Sequence, residues 1–198
     1  MRTLITYSGL RNYESLLERA PEVTRQAAVL ALNRGAKRAR TEGSREIRKQ
    51  VNLTRGYVDE RLVVKQFASK SNLFAVISGR VQATSLRRFG AKQSLRKGKS
   101  AGVIVGVKRG RRVKMKRAFF IKLKGGGVDS FNTGIAVRLR DGEAIEGKKK
   151  PFDKSGSGLY LLYGPSVDQV WGSVKDDIFP SITEEMNAEF NRQFARLI

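Results

Sequence analysis

The sequence predicts an α+β fold: a long N-terminal helix, an antiparallel β-sheet with basic loops, and a C-terminal helix. Three observations predict it. From Pro21 to about Gln50 nothing interrupts a helical pattern except Gly35 and Gly43. Between residues 62 and 140, short runs of Val, Ile and Phe alternate with basic residues in the manner of strands. From Val167 onward, apolar residues return to helical spacing.

Residues 1–10 alternate weakly (Leu4, Tyr7, Leu10) and suggest a short strand or arm. Leu10, Tyr13, Leu16 and Leu17 define a short amphipathic helix ending near Arg19. Pro21 restarts the chain, since proline suits the first turn of a helix. Val23, Ala27, Leu30 and Ala31 mark one apolar stripe of that helix, continued by Ala39 and Ile47. Its length is roughly 45 Å at about 1.5 Å per residue. The alanine-rich face allows close packing on a flat partner. Arg34, Lys37, Arg38, Arg40, Arg45, Arg48 and Lys49 occupy the rest, and a solvated face accounts for them as well as phosphate contact does.

Asn52 or Thr54 can cap a short helix over Arg55–Arg61. Leu62–Phe67 and Leu73–Ser78 read as paired strands joined by Ala68–Asn72. Val81–Ala101 is polar and basic, with little apolar mass, and reads as a mobile insertion. Val103–Lys108, Arg112–Lys116 and Phe119–Lys124 predict three further strands, the first two linked by the basic turn Arg109-Gly110-Arg111. Gly125-Gly126-Gly127 reverses the chain into a last strand over Asp129–Arg140. A polar loop spans Gly142–Gly158. After Leu159–Tyr163, a helix carries Val167, Val170, Trp171, Val174 and Ile178, and the spacing restarts beyond Pro180 with Ile182, Met186, Phe190, Phe194 and Leu197. One domain accommodates all of this: a helical part over 10–61, a basic antiparallel sheet over 62–140, a polar loop over 141–158 and a C-terminal helical part over 159–198.

Charge is distributed unevenly. The formal net charge is +22, and Arg61–Val128 holds nineteen Lys and Arg with no Asp or Glu. A field of that sign and density attracts a polyanion, above all nucleic acid. The alternation of these cations with apolar residues argues against a disordered tail.

The composition narrows the chemistry. There is no cysteine and no histidine, which removes disulfides, thiolate metal sites and every Ser-His or Cys-His pair. The sequence thus predicts no enzyme, no cofactor and no metal. No apolar run approaches the roughly 18 residues of a membrane span, and the first residues are too polar for a signal peptide, so no membrane partner is expected. Gly125–Gly127 lacks the Lys-Ser/Thr ending of a phosphate-binding loop. Glu146-Gly147-Lys148, downstream of Asp129 and Asp141, has the outline of a nuclease metal core, but glycines flank it where that chemistry needs a rigid strand.

Several segments resemble the minor tail protein Z family of tailed bacteriophages and prophages. Ala31-Leu32-Asn33-Arg34-Gly35-Ala36-Lys37-Arg38-Ala39-Arg40, continuing to Ile47-Arg48, resembles its opening helix. Val51-Asn52-Leu53 through Leu62-Val63-Val64, the pair Ala118-Phe119 and the turn Tyr163-Gly164-Pro165-Ser166-Val167 follow in the family's order. The likeness covers roughly residues 20–195. Where the family pattern has Pro-Gly before Ala118, this chain has Lys116-Arg117.

The resemblance implies a tail completion protein that finishes the head-proximal end of a long tail and joins it to the head. It implies a self-associated ring, six-fold like the tail, around the DNA path. The tail terminator and the head–tail connector are the implied neighbours, the virion is the implied location and the host cytoplasm the place of assembly. In that setting Arg87, Arg88, Lys92, Arg96, Lys97, Lys99, Arg109, Arg111, Arg112 and Lys114 are the candidates for facing DNA through phosphate contacts. Tyr163, Gly164, Pro165, Ser166, Val167 and Trp171 are candidates for a structural or subunit-interface role. The rival expectation is a cellular protein that binds nucleic acid without regard to sequence, like a ribosomal or chromatin component.

Overall fold

The computed structural model describes residues 2–6, 10–11, 13–97, 99–123, 133–140, 148–151 and 158–198. It is an α+β structure in which helices and antiparallel sheets divide between two compact units. The first unit takes residues 1–47, 55–81 and 167–198, and the second takes 48–54 and 82–166.

The first unit contains β1 (Arg2–Thr6), α1 (Tyr13–Arg19), α2 (Pro21–Gln50, whose last residues belong to the second unit), α3 (Arg55–Asp59), β2 (Leu62–Gln66), β3 (Phe74–Gly79) and α4 (Val167–Leu197). Pro21 opens α2, with Glu22 in its first turn and Arg48 and Lys49 in its last, each on the side the helix dipole favours. Ala27, Ala28, Ala31, Leu32, Ala36, Ala39 and Ile47 are fully buried. This alanine face is therefore covered within the unit. A Cβ added to Gly35 would overlap the Met186 side chain, and one added to Gly43 would overlap the Trp171 ring. Since α2 ascends as α4 descends, the two helices run antiparallel, with glycine at the closest approaches.

The helix expected to restart after Pro180 is one continuous helix, α4. Pro180 is exposed, so the carbonyl that loses its partner there faces water and the break costs less than in a buried turn. Beside the helices lies a three-stranded sheet in the order β1-β3-β2, antiparallel throughout. Ile5, Leu62, Ala75 and Ile77 are buried on one side of it, whereas Leu4 and Val63 are exposed on the other, the period-two alternation of a half-covered sheet.

The second unit is built of strands: β4 (Thr84–Ser85), β5 (Lys92–Arg96), β6 (Lys99–Val105), β7 (Val113–Met115), β8 (Ala118–Lys122), β9 (Thr133–Arg138), β10 (Lys148–Pro151) and β11 (Leu159–Gly164). One sheet has the order β10-β11-β9-β8, with β4 also pairing with β11, and the other has the order β5-β6-β7.

Two expectations change here. Val81–Ala101 is not an insertion with little holding it. It forms β4, a 3₁₀ turn over Leu86–Arg88, β5 and the start of β6. Phe89 is its anchor, fully buried with Leu86 and Ala91 beside it in sequence. A Cβ on Gly164 would overlap the Phe89 ring, so glycine at 164 is what lets this aromatic close on β11. Part of the polar loop, Lys148–Pro151, is the edge strand β10. Lysine and proline are what a sheet edge tolerates, and they hide a strand from a search for apolar alternation. The glycine turn at 125–127, Asp129, Asp141 and Glu146 lie outside the described residues.

Candidate nucleic-acid interface

The second unit holds 23 of the 40 basic residues and 5 of the 18 acidic ones, a net of +18 out of +22. All five acids (Asp129, Asp141, Glu143, Glu146, Asp153) lie outside the described residues. Among the described residues, this unit thus contains no carboxylate to neutralise its cations. The first unit differs. Arg34 pairs with Glu189 at 3.6 Å, Arg38 with Glu42 at 3.1 Å and with Glu185 at 3.4 Å, and Arg45 with Glu42 at 3.1 Å. Arg40 donates to the carbonyls of Leu62 (2.9 Å) and Asp59 (2.7 Å). Exposed pairs add little stability, but they offset part of the positive charge of α2. Of the seven cations named for the polar face of that helix, Arg34, Arg38 and Arg45 pair with carboxylates of the chain and Arg40 with its carbonyls.

The β5-β6-β7 sheet shows how the second unit presents its charge. Val103 and Val105 of β6 are buried, and Ile104 between them is half-buried on the opposite face. Across the sheet Lys92 is level with Ile104, and Ile104 is level with Lys114. Residues level with one another in adjacent strands share a face, so Lys92 and Lys114 flank Ile104 on the face away from the buried valines. Arg112 joins them, because a Cβ built on Gly106 would lie 3.4 Å from its Cγ. All three cations are exposed.

The hairpins at each end of the sheet carry more. Lys97, at the β5–β6 turn, is the only non-glycine with positive φ (50°) among the described residues, a conformation glycine or asparagine adopts more cheaply. In the β6–β7 hairpin, Arg111 N–H donates to the Lys108 carbonyl at 3.2 Å, and Gly110 supplies the positive φ (79°) that the turn requires.

The ten candidates do not form one set. Lys92, Arg96, Lys97, Arg111, Arg112 and Lys114 are exposed. Arg109 is exposed, but its Nη1 donates to the Arg48 carbonyl at 2.9 Å and its N–H to the Gln50 carbonyl at 3.1 Å. It thereby satisfies two of the carbonyls left open where α2 ends. Arg87 is half-buried, donates from Nη1 to the Ala91 carbonyl at 2.8 Å and lies 4.9 Å over the Phe120 ring. Arg88 is half-buried. Lys99 lies level with Arg96 at the start of β6, and its side chain is outside the described residues. Capping and stacking duties of this kind depend on partners distant in sequence, and charge counting alone cannot find them.

The other candidate group lies where β11 meets α4. Gly164, Ser166, Val167 and Trp171 are buried, while Tyr163 and Pro165 are half-buried. Trp171 is fully buried, with its Nε1 donating to Thr3 Oγ1 at 2.9 Å.

Among the described residues no helix is long and apolar enough to cross a membrane, and no cluster of acidic side chains could hold a metal ion. The sequence model of the family described as prophage minor tail protein Z (GPZ) matches residues 9–198, nearly the whole chain. No curated protein and no solved structure matches it.

Proposed function

The chain belongs to the prophage minor tail protein Z family, and from that premise we propose that it completes the head-proximal end of a phage tail as a ring around the DNA path. It is a structural protein of the phage tail, placed in the virion among other phage structural proteins. The finer reading is that six copies close on one another, meet the tail terminator on one side and the head–tail connector on the other, and join tail to head after assembly in the host cytoplasm.

The observation that supports the DNA path is the charge of the second unit: net +18 in the unit as a whole, with no carboxylate among its described residues. In a ring that charge is repeated around one axis. Like charges facing each other across an empty lumen oppose closure, whereas DNA in the lumen screens them. Phosphate contacts of this kind carry no sequence information, which suits a channel that every part of a genome must pass. Joining and threading need no catalytic group. A cellular nucleic-acid-binding role would account for the charge but not for the family.

The test is complementation. Tails assembled without this chain should reach full length but not accept filled heads, and purified protein added afterwards should restore joining. Heads that join such tails unaided would overturn the proposal.

A further inference from the structure

We infer that one face of the second unit, the outer face of the β5-β6-β7 sheet, is a phosphate-tracking surface for duplex DNA, with Lys92, Arg112 and Lys114 as its contacts. The inference rests on the DNA-path reading above and assigns that role to a particular set of side chains.

Geometry supports the assignment. Lys92 and Lys114 stand on the two outer strands, level with Ile104 of the central strand. At about 4.8 Å between strands, their Cα atoms are about 10 Å apart. Arg112 lies two residues before Lys114, about 7 Å along an extended chain, with its stem close to Gly106. Gly106 contributes no side chain to this face, and Ile104 contributes a half-buried one. Three long cationic side chains therefore border a face of low relief. The opposite face bears the buried Val103 and Val105, so the orientation of the cations is held by an apolar core. A rigid sheet displaying cations at separations of about 7 to 10 Å suits a regularly spaced polyanion.

Charge alone does not select this face. Arg87 is committed to the Ala91 carbonyl and the Phe120 ring, and Arg109 to the end of α2. Lys92, Arg112 and Lys114 are exposed, and no described residue of their unit supplies a carboxylate to pair with them. Contact with phosphates would release counterions from the duplex, with an affinity that falls by about 0.9 log unit per log unit of salt for each phosphate neutralised.

The experiment measures binding of the purified full-length protein to a random-sequence DNA duplex by fluorescence anisotropy over a series of salt concentrations. Lys92→Gln/Arg112→Gln/Lys114→Gln should flatten the log–log salt slope by about 2.7, three phosphates at about 0.9 each. Lys65→Gln/Lys70→Gln/Arg2→Gln, three exposed cations of the first unit, should leave the wild-type slope unchanged. A second duplex of scrambled sequence should bind with equal affinity. Circular dichroism melting checks that the variants fold. If the triple variant does not, Lys92→Gln and Lys114→Gln singly should each flatten the slope by about 0.9. Wild-type binding with a slope that the face variants leave intact, or that the control variant lowers equally, overturns this face and leaves the DNA path standing. A wild-type protein that does not bind duplex even at low salt overturns both.

Discussion

Trp171 heads the fully buried side chains by size, and its indole N–H is not left without a partner in the core: it donates to Thr3 Oγ1 at 2.9 Å. Trp171→Ala should cost about 3–5 kcal/mol, because a large cavity opens where the helices meet. Thr3→Val keeps the shape but orphans the N–H, and should cost about 1–3 kcal/mol. Urea denaturation of both variants checks the order; a Thr3→Val protein as stable as wild type would mean that the hydrogen bond contributes nothing separate from packing. Two carboxylates give the same unit a dependence on pH. Hydrogen bonds from Arg192 (2.8 and 3.1 Å) hold the Glu189 carboxyl below its ordinary value of 4.5; burial opposes them, while Gln193 and Arg34 add to them. At Asp59 burial pushes upward, but hydrogen bonds from Ser44 and Arg55 and the charges of Arg40 and Arg55 outweigh it, leaving the group below 3.8. Both folded values lie under the unfolded ones, so their contribution is complete above the unfolded range and disappears as the pH falls through the folded values. Stability should be level above about pH 5 and decline below about pH 4. Glu189→Gln should remove part of that decline, as read from denaturation midpoints at a series of pH values.

The pairing of α2 with α4 depends on two glycines whose roles can be told apart. Alanine is the better helix former by about 1 kcal/mol, so either Gly→Ala change would stabilise an isolated helix. At Gly43 the new methyl meets the rigid, buried Trp171 ring, and overpacking of that kind costs about 1–3 kcal/mol. Gly43→Ala should therefore be net destabilising. At Gly35 it meets Met186, whose unbranched chain can adjust, so Gly35→Ala should lie much closer to wild type. Thermal melts of the two variants decide it, and a Gly43→Ala protein that melts higher than wild type would refute the close approach. Elements such as α2 were legible in the sequence because Pro21 marks the start and nothing breaks the pattern before Gln50. The paired strands β2 and β3 were legible because their apolar runs are dense. The continuity of α4 was not, since Pro180 signals a stop and only its exposed setting makes it tolerable. Neither was the structure of Val81–Ala101, which depends on one buried aromatic, Phe89, among polar neighbours. The candidate interface was legible as charge but not as a surface. Lys92 and Lys114 are 22 positions apart and become neighbours through the register of three strands, including a shift between Gln93 and Leu95. Local residue patterns do not specify that register.

Across the whole molecule, charge is segregated between the two units. The first unit answers its cations with carboxylates, whereas the second, +18 by its residues, does not among those described. A surface in that condition attracts an outside counter-charge; in the ring proposed above, that is either the phosphates of DNA in the lumen or acidic faces of adjoining proteins. The β6–β7 turn can distinguish them. Arg109 is unsuited to the test, because removing it also uncaps α2; Arg111 and Arg112 are exposed and free of that complication. Arg111→Ser/Arg112→Ser introduced into the phage genome should leave the chain folded. If the turn faces the lumen, heads and tails should join, but the particles should retain DNA poorly, losing it to nuclease on storage at a salt concentration where wild type is stable. Screening by salt should aggravate the loss, since the remaining contacts are Coulombic and weaken as the Debye length contracts from about 10 Å at 0.1 M to about 3 Å at 1 M. If the turn instead docks on an acidic neighbour, the lysate should contain complete tails and filled heads unjoined, with the defect fixed before any genome is exposed. Electron microscopy of the lysate and a nuclease-protection assay on purified particles read both outcomes from one strain. Joined particles that hold their genomes as wild type does would remove this turn from either role.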